Sequence, residues 1–252
     1  MALQLIQAWA LLWQGQVSAA RKLLQTVLQA ARANDFGEQT VTALSACAFA
    51  DALSDQARAA YEHAQQAVQM AQSLQNATVE LLSQMALTRT QLKQHNWAEA
   101  ITTLEALIAR FQGHGFGLGE LARLQLDLSL AYLASGDARR ARELANQALQ
   151  QAQQFNSPIA QVEASLAQVC AGLYSSKPQP YLKRYRSSLS ELEQAIDARG
   201  VLLLKPDLLL LQARWAELRD ESEQAQSLRQ QAQAVMDQLG IQHPSMLHLP
   251  LG

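Results

Sequence analysis

The sequence predicts an all-α fold, a solenoid of repeated helix pairs, and three observations carry that prediction. The first is composition. Among 252 residues there are 44 Ala, 43 Leu and 35 Gln but only nine Val and six Ile, so strong helix formers abound and sheet-favouring β-branched residues are scarce. The second is a spaced Ala, which falls at Ala20, Ala60, Ala100, Ala141 and Ala225 in "GQVSAARKLLQTVL", "DQARAAYEHAQQAV", "HNWAEAITTLEALI", "GDARRARELANQAL" and "DESEQAQSLRQQAQ". Its spacings are 40, 40, 41 and 84, and the last is twice 42, so a further repeat must lie between Ala141 and Ala225 and the total is six. The third is what stands five residues before each Ala: Gly15, Asp55, His95, Gly136 or Asp220, types that mostly favour turns or tolerate left-handed backbone.

Each unit therefore reads helix A, tight turn, helix B. The repeats run over about 1–36, 37–76, 77–116, 117–157, 158–200 and 201–240, and residues 241–252 form an irregular tail. Stops rich in Gly, Asn or Pro separate them: "ANDFGE", "LQNAT", "FQGHGFGLGE", "FNSP", "ARG" and "LGIQHP". Twelve residues before the reference position stand Ala8, Ala48, Thr88, Ser129, Ala171 and Ala213, all small, as a close crossing of the two helices demands. Down helix B, Leu24 and Val27, Ala64 and Ala67, Leu104 and Leu107, and Ala145 and Ala148 make an apolar stripe four and seven residues on. The fifth repeat departs from this. Its helix A ends near Tyr174, "SSKPQPYLKRY" replaces the tight turn, and the stripe resumes about five residues late at Leu189, Leu192, Ala195 and Ile196.

The arrangement resembles the tetratricopeptide repeat, whose consensus places Gly in the turn, Ala five residues on, and a small residue at the helix A crossing. "AYLASGDARRARELANQAL", Ala131 to Leu149, is the most specific match. The period is about 40 residues rather than the 34 usual for that family. Long-helix repeats of this kind are similar to the sensor domain of the maltose-activator-like group of LuxR-type signalling ATPases. HEAT-type repeats have a comparable period, but their Pro-kinked first helix is missing, since no Pro precedes Pro158. The resemblance implies a right-handed superhelix with helix A lining the concave side.

The rest of the sequence narrows the function by what it lacks. A formal charge of −2 excludes polyanion binding driven by bulk charge. Cys47 and Cys170 are too few for a disulfide framework and suit a reducing compartment, and both sit one residue before a crossing position, as buried thiols would. Lys205, Pro206 and Asp207 interrupt the richest apolar run, and the apolar first helix lacks a positively charged leader, so the expectation is a cytoplasmic protein with no membrane span. Gly113, Gly115, Gly117 and Gly119 follow a helix rather than a strand and read as an inter-repeat loop. No nucleophile, base and orienter can be placed together, and no His pair has ligand spacing, so no catalytic residue, metal or cofactor is expected. Lys183, Arg184 and Arg186 interleave with Tyr181 and Tyr185, which reads as a solvated helix start with its tyrosines packed inward rather than a nucleic-acid surface.

The concave groove remains. Carried over residue by residue, the resemblance places Trp9, Trp13, Phe49, Met85, Arg89, Lys93, Arg123 and Arg214 there, with Leu5, Thr42, Ser45, Leu126, Leu130, Gln168 and Leu210. The family's carboxylate clamp for chaperone tails is missing, because Leu5 and Trp9 stand where it needs Lys and Asn. An aromatic end around Trp9, Trp13 and Phe49 gives way to the cations Arg89, Lys93 and Arg123, which have few helix A partners, since Glu80 and Glu120 lie near the helix starts and Asp127 points to another face. The rival account is that Asp127 or a neighbouring glutamate neutralises them and the aromatic end does the binding. That mixture suits a protein or peptide segment with an acidic feature, or an anionic small effector. The first helix, "LQLIQAWALLWQ", is apolar on almost every side, which implies a longer array or a homo-oligomer through that face. "PSMLHLPLG" at the other end should fold back on the last helix pair. The expected function is a non-catalytic binding module, the sensor or interaction domain of a larger bacterial signalling or transcriptional regulator. The alternative is a stand-alone scaffold that self-associates through Trp9 and Trp13.

Overall fold

The computed structural model describes residues 1–54, 56–111, 118–175, 178 and 182–246, and over these residues the regular structure is helical, with no strand. Twelve α-helices form six antiparallel pairs: α1 (Ala2–Trp13) with α2 (Val17–Ala33), α3 (Gly37–Leu53) with α4 (Ala57–Leu74), and α5 (Ala77–Lys93) with α6 (Trp97–Phe111). They continue with α7 (Leu118–Ala134) and α8 (Ala138–Gln154), α9 (Pro158–Leu173) and α10 (Leu182–Arg199), and α11 (Lys205–Glu217) and α12 (Ser222–Leu239), a short 3-10 turn over Leu202–Leu204 preceding the last pair.

Left-handed backbone ends the helices where the sequence placed its turns. Gly15, His95, Gly136 and Asp220 have φ of 77°, 62°, 92° and 62°. The next residue donates its N–H five residues back, Gln16 to the Leu11 carbonyl and Asp137 to that of Tyr132, both at 2.8 Å, which satisfies carbonyls that a helix end would orphan. Asp35, Gln75, Asn156 and Gly200 take the same left-handed backbone between pairs, and Gly240 takes it after α12.

The small residues meet as the register requires. Ala8, Ala48, Thr88, Ser129, Ala171 and Ala213 on the first helices, and Ala20, Ala60, Ala100, Ala141 and Ala225 on the second, are at most 1% exposed. Their size lets backbones approach: the Ser129 hydroxyl donates across the fourth pair to the Ala141 carbonyl at 2.7 Å. In the fifth pair the buried stripe of α10 is Tyr185, Leu189, Leu192 and Ile196, with Ala195 only half-buried. Tyr185 brings a ring where its siblings bring Ala, and α9 answers with Gly172, where an added Cβ would lie 1.5 Å from the Tyr185 hydroxyl.

Second helices pack on the first helix of the next pair, and first helices on one another: α1 on α3, α3 on α5, α7 on α9 and α9 on α11. The first helices therefore form the inner wall. After six pairs the superhelix returns to its start. The α1 helix touches the 3-10 turn of the last pair, and Leu239 at the end of α12 fills the space beside Gly15, so that a Cβ there would come within 2.4 Å of its Cδ2.

Candidate functional site

Closure turns the concave groove into a narrow chamber, and its wall is built from first helices that lie far apart in sequence. Trp13 of α1 and Phe49 of α3 supply the aromatic part, their ring centroids 6.3 Å apart, with Trp9 against Phe49 at 5.5 Å. The cations do not form a separate stretch farther along. Arg123 of α7 lies over the Trp13 ring and Arg89 of α5 over the Phe49 ring, each with its guanidinium carbon 5.5 Å from the centroid, a favourable cation–π distance. Repeat one thus faces repeat four across the chamber.

The expectation of free cations is corrected here. Asp127 does not point to another face: its carboxylate takes a forked pair of hydrogen bonds from Arg89, Nε at 2.9 Å and Nη2 at 3.2 Å. Burial works against the Arg89 charge, but Asp127, by charge and hydrogen bond, and Glu163, by charge, outweigh it, so its pKa is raised. Arg123 faces Glu163 of α9 at 3.7 Å. Glu163 is 2% exposed, and burial, the largest influence, raises its pKa against the pull of Arg123 and Arg89. Its Oε2 accepts no hydrogen bond among the described residues. Lys93 donates to the carbonyl of Pro244, in the tail. Burial presses the Lys93 pKa down to about 7, with Asp207 opposing that shift and Arg89 reinforcing it.

The tail was expected on the last helix pair, and it reaches that pair by crossing the chamber. Gln242 N–H donates to the Leu53 carbonyl at the end of α3 at 3.0 Å. Then Asp207 of α11, fully buried, receives the tail: Oδ2 accepts from the Ser245 backbone N–H at 3.1 Å and its hydroxyl at 3.0 Å, while Oδ1 accepts from Met246 N–H at 3.0 Å. Met246 is itself buried and lines the chamber with Trp13, Phe49, Leu126 and Leu130. The space left is about 20 Å³, room for roughly one water.

The other expected site residues lie elsewhere. Met85 is part of the hydrophobic core. Arg214 stacks over Tyr174 at 5.1 Å and pairs with Glu217 at 3.3 Å. Trp9 and Trp13 are not outward anchors for self-association: Trp13 is buried and Trp9 half-buried on Phe49, while Leu3 and Ile6 are the outward apolar residues of α1. Tyr185 is packed inward; Lys183, Arg184 and Arg186 are exposed. Tyr181 and the glycine-rich stretch over residues 112–117 lie outside the described residues. Both cysteines are buried, and burial above all, then Asp51, pushes the Cys47 thiol up to about 12, so neither is primed as a nucleophile. Among the described residues no group of three metal-ligating side chains occurs, and no helix is long and apolar enough to cross a membrane.

Sequence reasoning missed Glu163, Asp207, Ser245 and Met246, and it named Asp127 only in the rival account. A signal for four of these five was present. Arg89 and Asp127 are 38 positions apart, as are Asp207 and Ser245, and Arg123 and Glu163 are 40 apart, so each pair spans about one repeat.

No protein-family model matches the chain, and no curated protein matches it in sequence. Solved structures match it in shape. A Rap protein complexed with competence and sporulation factor superposes on 92% of this chain and 62% of its own, with a TM-score of 0.73 at 15% identity. Aspartyl phosphate phosphatase F from Bacillus subtilis superposes on 95% and 61%, with a TM-score of 0.69 at 15% identity. A putative kinesin light chain of Podosopora anserina, with nearly identical TPR-like repeats, superposes on 79% and 93%, with a TM-score of 0.51 at 22% identity. This chain spans about three fifths of the length of the first two. Likeness at these identities is likeness of fold, and the fold is that of the tetratricopeptide-like helical-repeat superhelices.

Proposed function

We propose that this chain is a non-catalytic binding module whose inner chamber takes a polypeptide segment of a protein partner, and that it serves as the sensor or interaction domain of a larger bacterial signalling or transcriptional regulator, acting in the cytoplasm. One observation carries the reading: the chamber already accommodates an irregular polypeptide segment, held by its backbone on Asp207 and Lys93. Charge balance shifts the preferred ligand away from the acidic one that the sequence suggested. Arg89 and Arg123 share the chamber with Asp127, Glu163 and Asp207, and burial weakens the charge of Lys93, so no excess of positive charge is left and a neutral, dipolar peptide backbone fits better than an anion. Binding rather than catalysis is supported by the same partners, since Asp127 is engaged by Arg89, Asp207 by the tail, and Glu163 faces Arg123. The Rap neighbour complexed with a factor offers the analogous case. The test is partner capture from the source cell extract by the immobilised chain. Trp13→Ala and Phe49→Ala should abolish capture of the same protein, and Gln150→Ala, on the exposed face of α8, should not. Capture indifferent to both aromatic changes overturns the reading.

Self-association is supported by a different surface, because Leu3 and Ile6 on α1 are 77% and 66% exposed. Sedimentation of the chain against a Leu3→Glu, Ile6→Glu variant tests it: a dimer in the first and a monomer in the second supports the scaffold, and identical monomers reject it.

A further inference from the structure

We propose that residues 244–246 are a displaceable internal ligand, and that the site they occupy selects partner segments carrying Ser or Thr followed by a flexible apolar residue of Met or Leu size. This deepens the chamber reading and rests on it.

The geometry argues a recognition site rather than a chance fold-back. A single carboxylate, Asp207, reads three donors in sequence: the backbone N–H and the hydroxyl of Ser245 on one oxygen, and the N–H of Met246 on the other. Two successive backbone N–H groups converge on one carboxylate because the chain bends at Ser245 and Met246, and the hydroxyl distinguishes Ser or Thr from every apolar residue, because leaving a donor out is costly for a fully buried carboxylate. One residue before, Lys93 holds the Pro244 carbonyl, which sets the direction of the chain. One residue after, Met246 fills the cavity beside Trp13 and Phe49, where a thioether adapts well to aromatic walls.

The segment is held by a few point contacts without a regular element, and it blocks the chamber completely. Residues 241–246 have no regular structure; Gln242 and His243 are exposed, and the segment leaves α12 through Gly240 at φ 68°. With the segment in place about 20 Å³ remains, so nothing larger than a water shares the chamber with it. A partner must therefore compete with an occupant tethered at high effective concentration, which lowers its apparent affinity by the fraction of time the site stands open.

The test uses the full chain and the labelled hexapeptide Ile-Gln-His-Pro-Ser-Met, capped at both ends, read by fluorescence anisotropy. A Ser245→Gly, Met246→Gly variant loosens the internal segment, and it should bind the peptide at least tenfold tighter than the unmodified chain. Adding Asp207→Asn should remove that gain, and a peptide with Ala for Ser should bind at least tenfold more weakly. Equal affinity in the unmodified and loosened chains, or a gain that survives Asp207→Asn, overturns the proposal. Hydrogen exchange guards against misfolded variants. In the unmodified chain, Ser245 and Met246 amides should exchange well before the core of α9; exchange of these two only with global unfolding makes the segment a fixed strut and overturns it too. Failure here leaves the chamber reading standing if partner capture still depends on Trp13. Partner capture indifferent to Trp13 and Phe49 defeats that reading instead.

Discussion

The fourth and fifth repeats build the same antiparallel pair by opposite means. In the fourth, two small residues meet, with Ser129 near enough to bond the Ala141 carbonyl, Gly136 turning the chain and Asp137 capping α8 through the Arg140 N–H. In the fifth, a longer connection delivers Tyr185 to the crossing, and only a missing Cβ at Gly172 makes room. Around it α10 packs more thinly, leaving an open furrow of about 330 Å³ between α8, α9 and α10, floored by Val162 and Val169 and edged by Arg184 and Arg199. The lesson is that the crossing accepts a bulky residue where its partner gives up its side chain altogether. With one large and one absent side chain the pair survives, but its neighbours no longer mesh as closely.

Breaking the fifth crossing should have the largest effect. Gly172→Ala sets a methyl against a rigid, buried phenol, and the loss should be about 3 kcal/mol by chemical denaturation. Combining it with Tyr185→Ala should cost less than the two changes summed, the mark of direct contact. In the fourth repeat, Ala141→Leu should cost about 2 kcal/mol by overpacking, while Gln150→Leu on the exposed side of the same helix stays within about 0.5 kcal/mol. Equal losses at those two positions would mean that the helix faces are assigned wrongly. Ser129→Ala should cost about 1 kcal/mol, one buried hydrogen bond whose acceptor belongs to a helix.

The smallest effect comes from pH and separates both crossings from the tail. Lys93 sheds its proton near pH 7 in the folded chain and near 10.5 when unfolded. Across that window the unfolded chain binds more protons, so the contribution of Lys93 to stability rises with pH. Its grip on the Pro244 carbonyl changes in the opposite direction, since the ammonium is the stronger donor. Raising pH from 6 to 8.5 should therefore speed hydrogen exchange at Ser245 relative to its intrinsic rate, while exchange through global unfolding around Ala141 and Gly172 slows or stays level. Asp207 holds that transition up and Arg89 presses it down, and His243 lies beside them.

What the sequence made legible follows from range. The register was readable because a small residue recurs at a fixed place in every unit, and Ala8, Ala48, Thr88, Ser129, Ala171 and Ala213 are all buried. The insertion was readable too, because the apolar stripe of α10 shifts. The exchange of Ala for Tyr185 against Gly172 was not, since each half makes sense only beside the other. The chamber was less legible still. Its residues were named in part, but Trp13 meets Arg123 only because the array curves through a full circuit, and curvature accumulates from small rotations at every interface. Treating helix A as a free concave wall made Arg89 and Arg123 look unpaired, when the partners stood one repeat later.

Contact between the first and last pairs has a kinetic side. Gly15 and Leu239 are 224 positions apart, whereas contacts inside a pair close loops of a few tens of residues. An open array can nucleate anywhere and zip outward, and its ends can fray independently. A circle has no such ends once shut, but shutting it is a non-local event whose entropic cost is met only after the six pairs have formed. Refolding should accordingly show fast helix formation followed by a slower step, observable as Trp13 fluorescence changing after far-ultraviolet ellipticity has recovered.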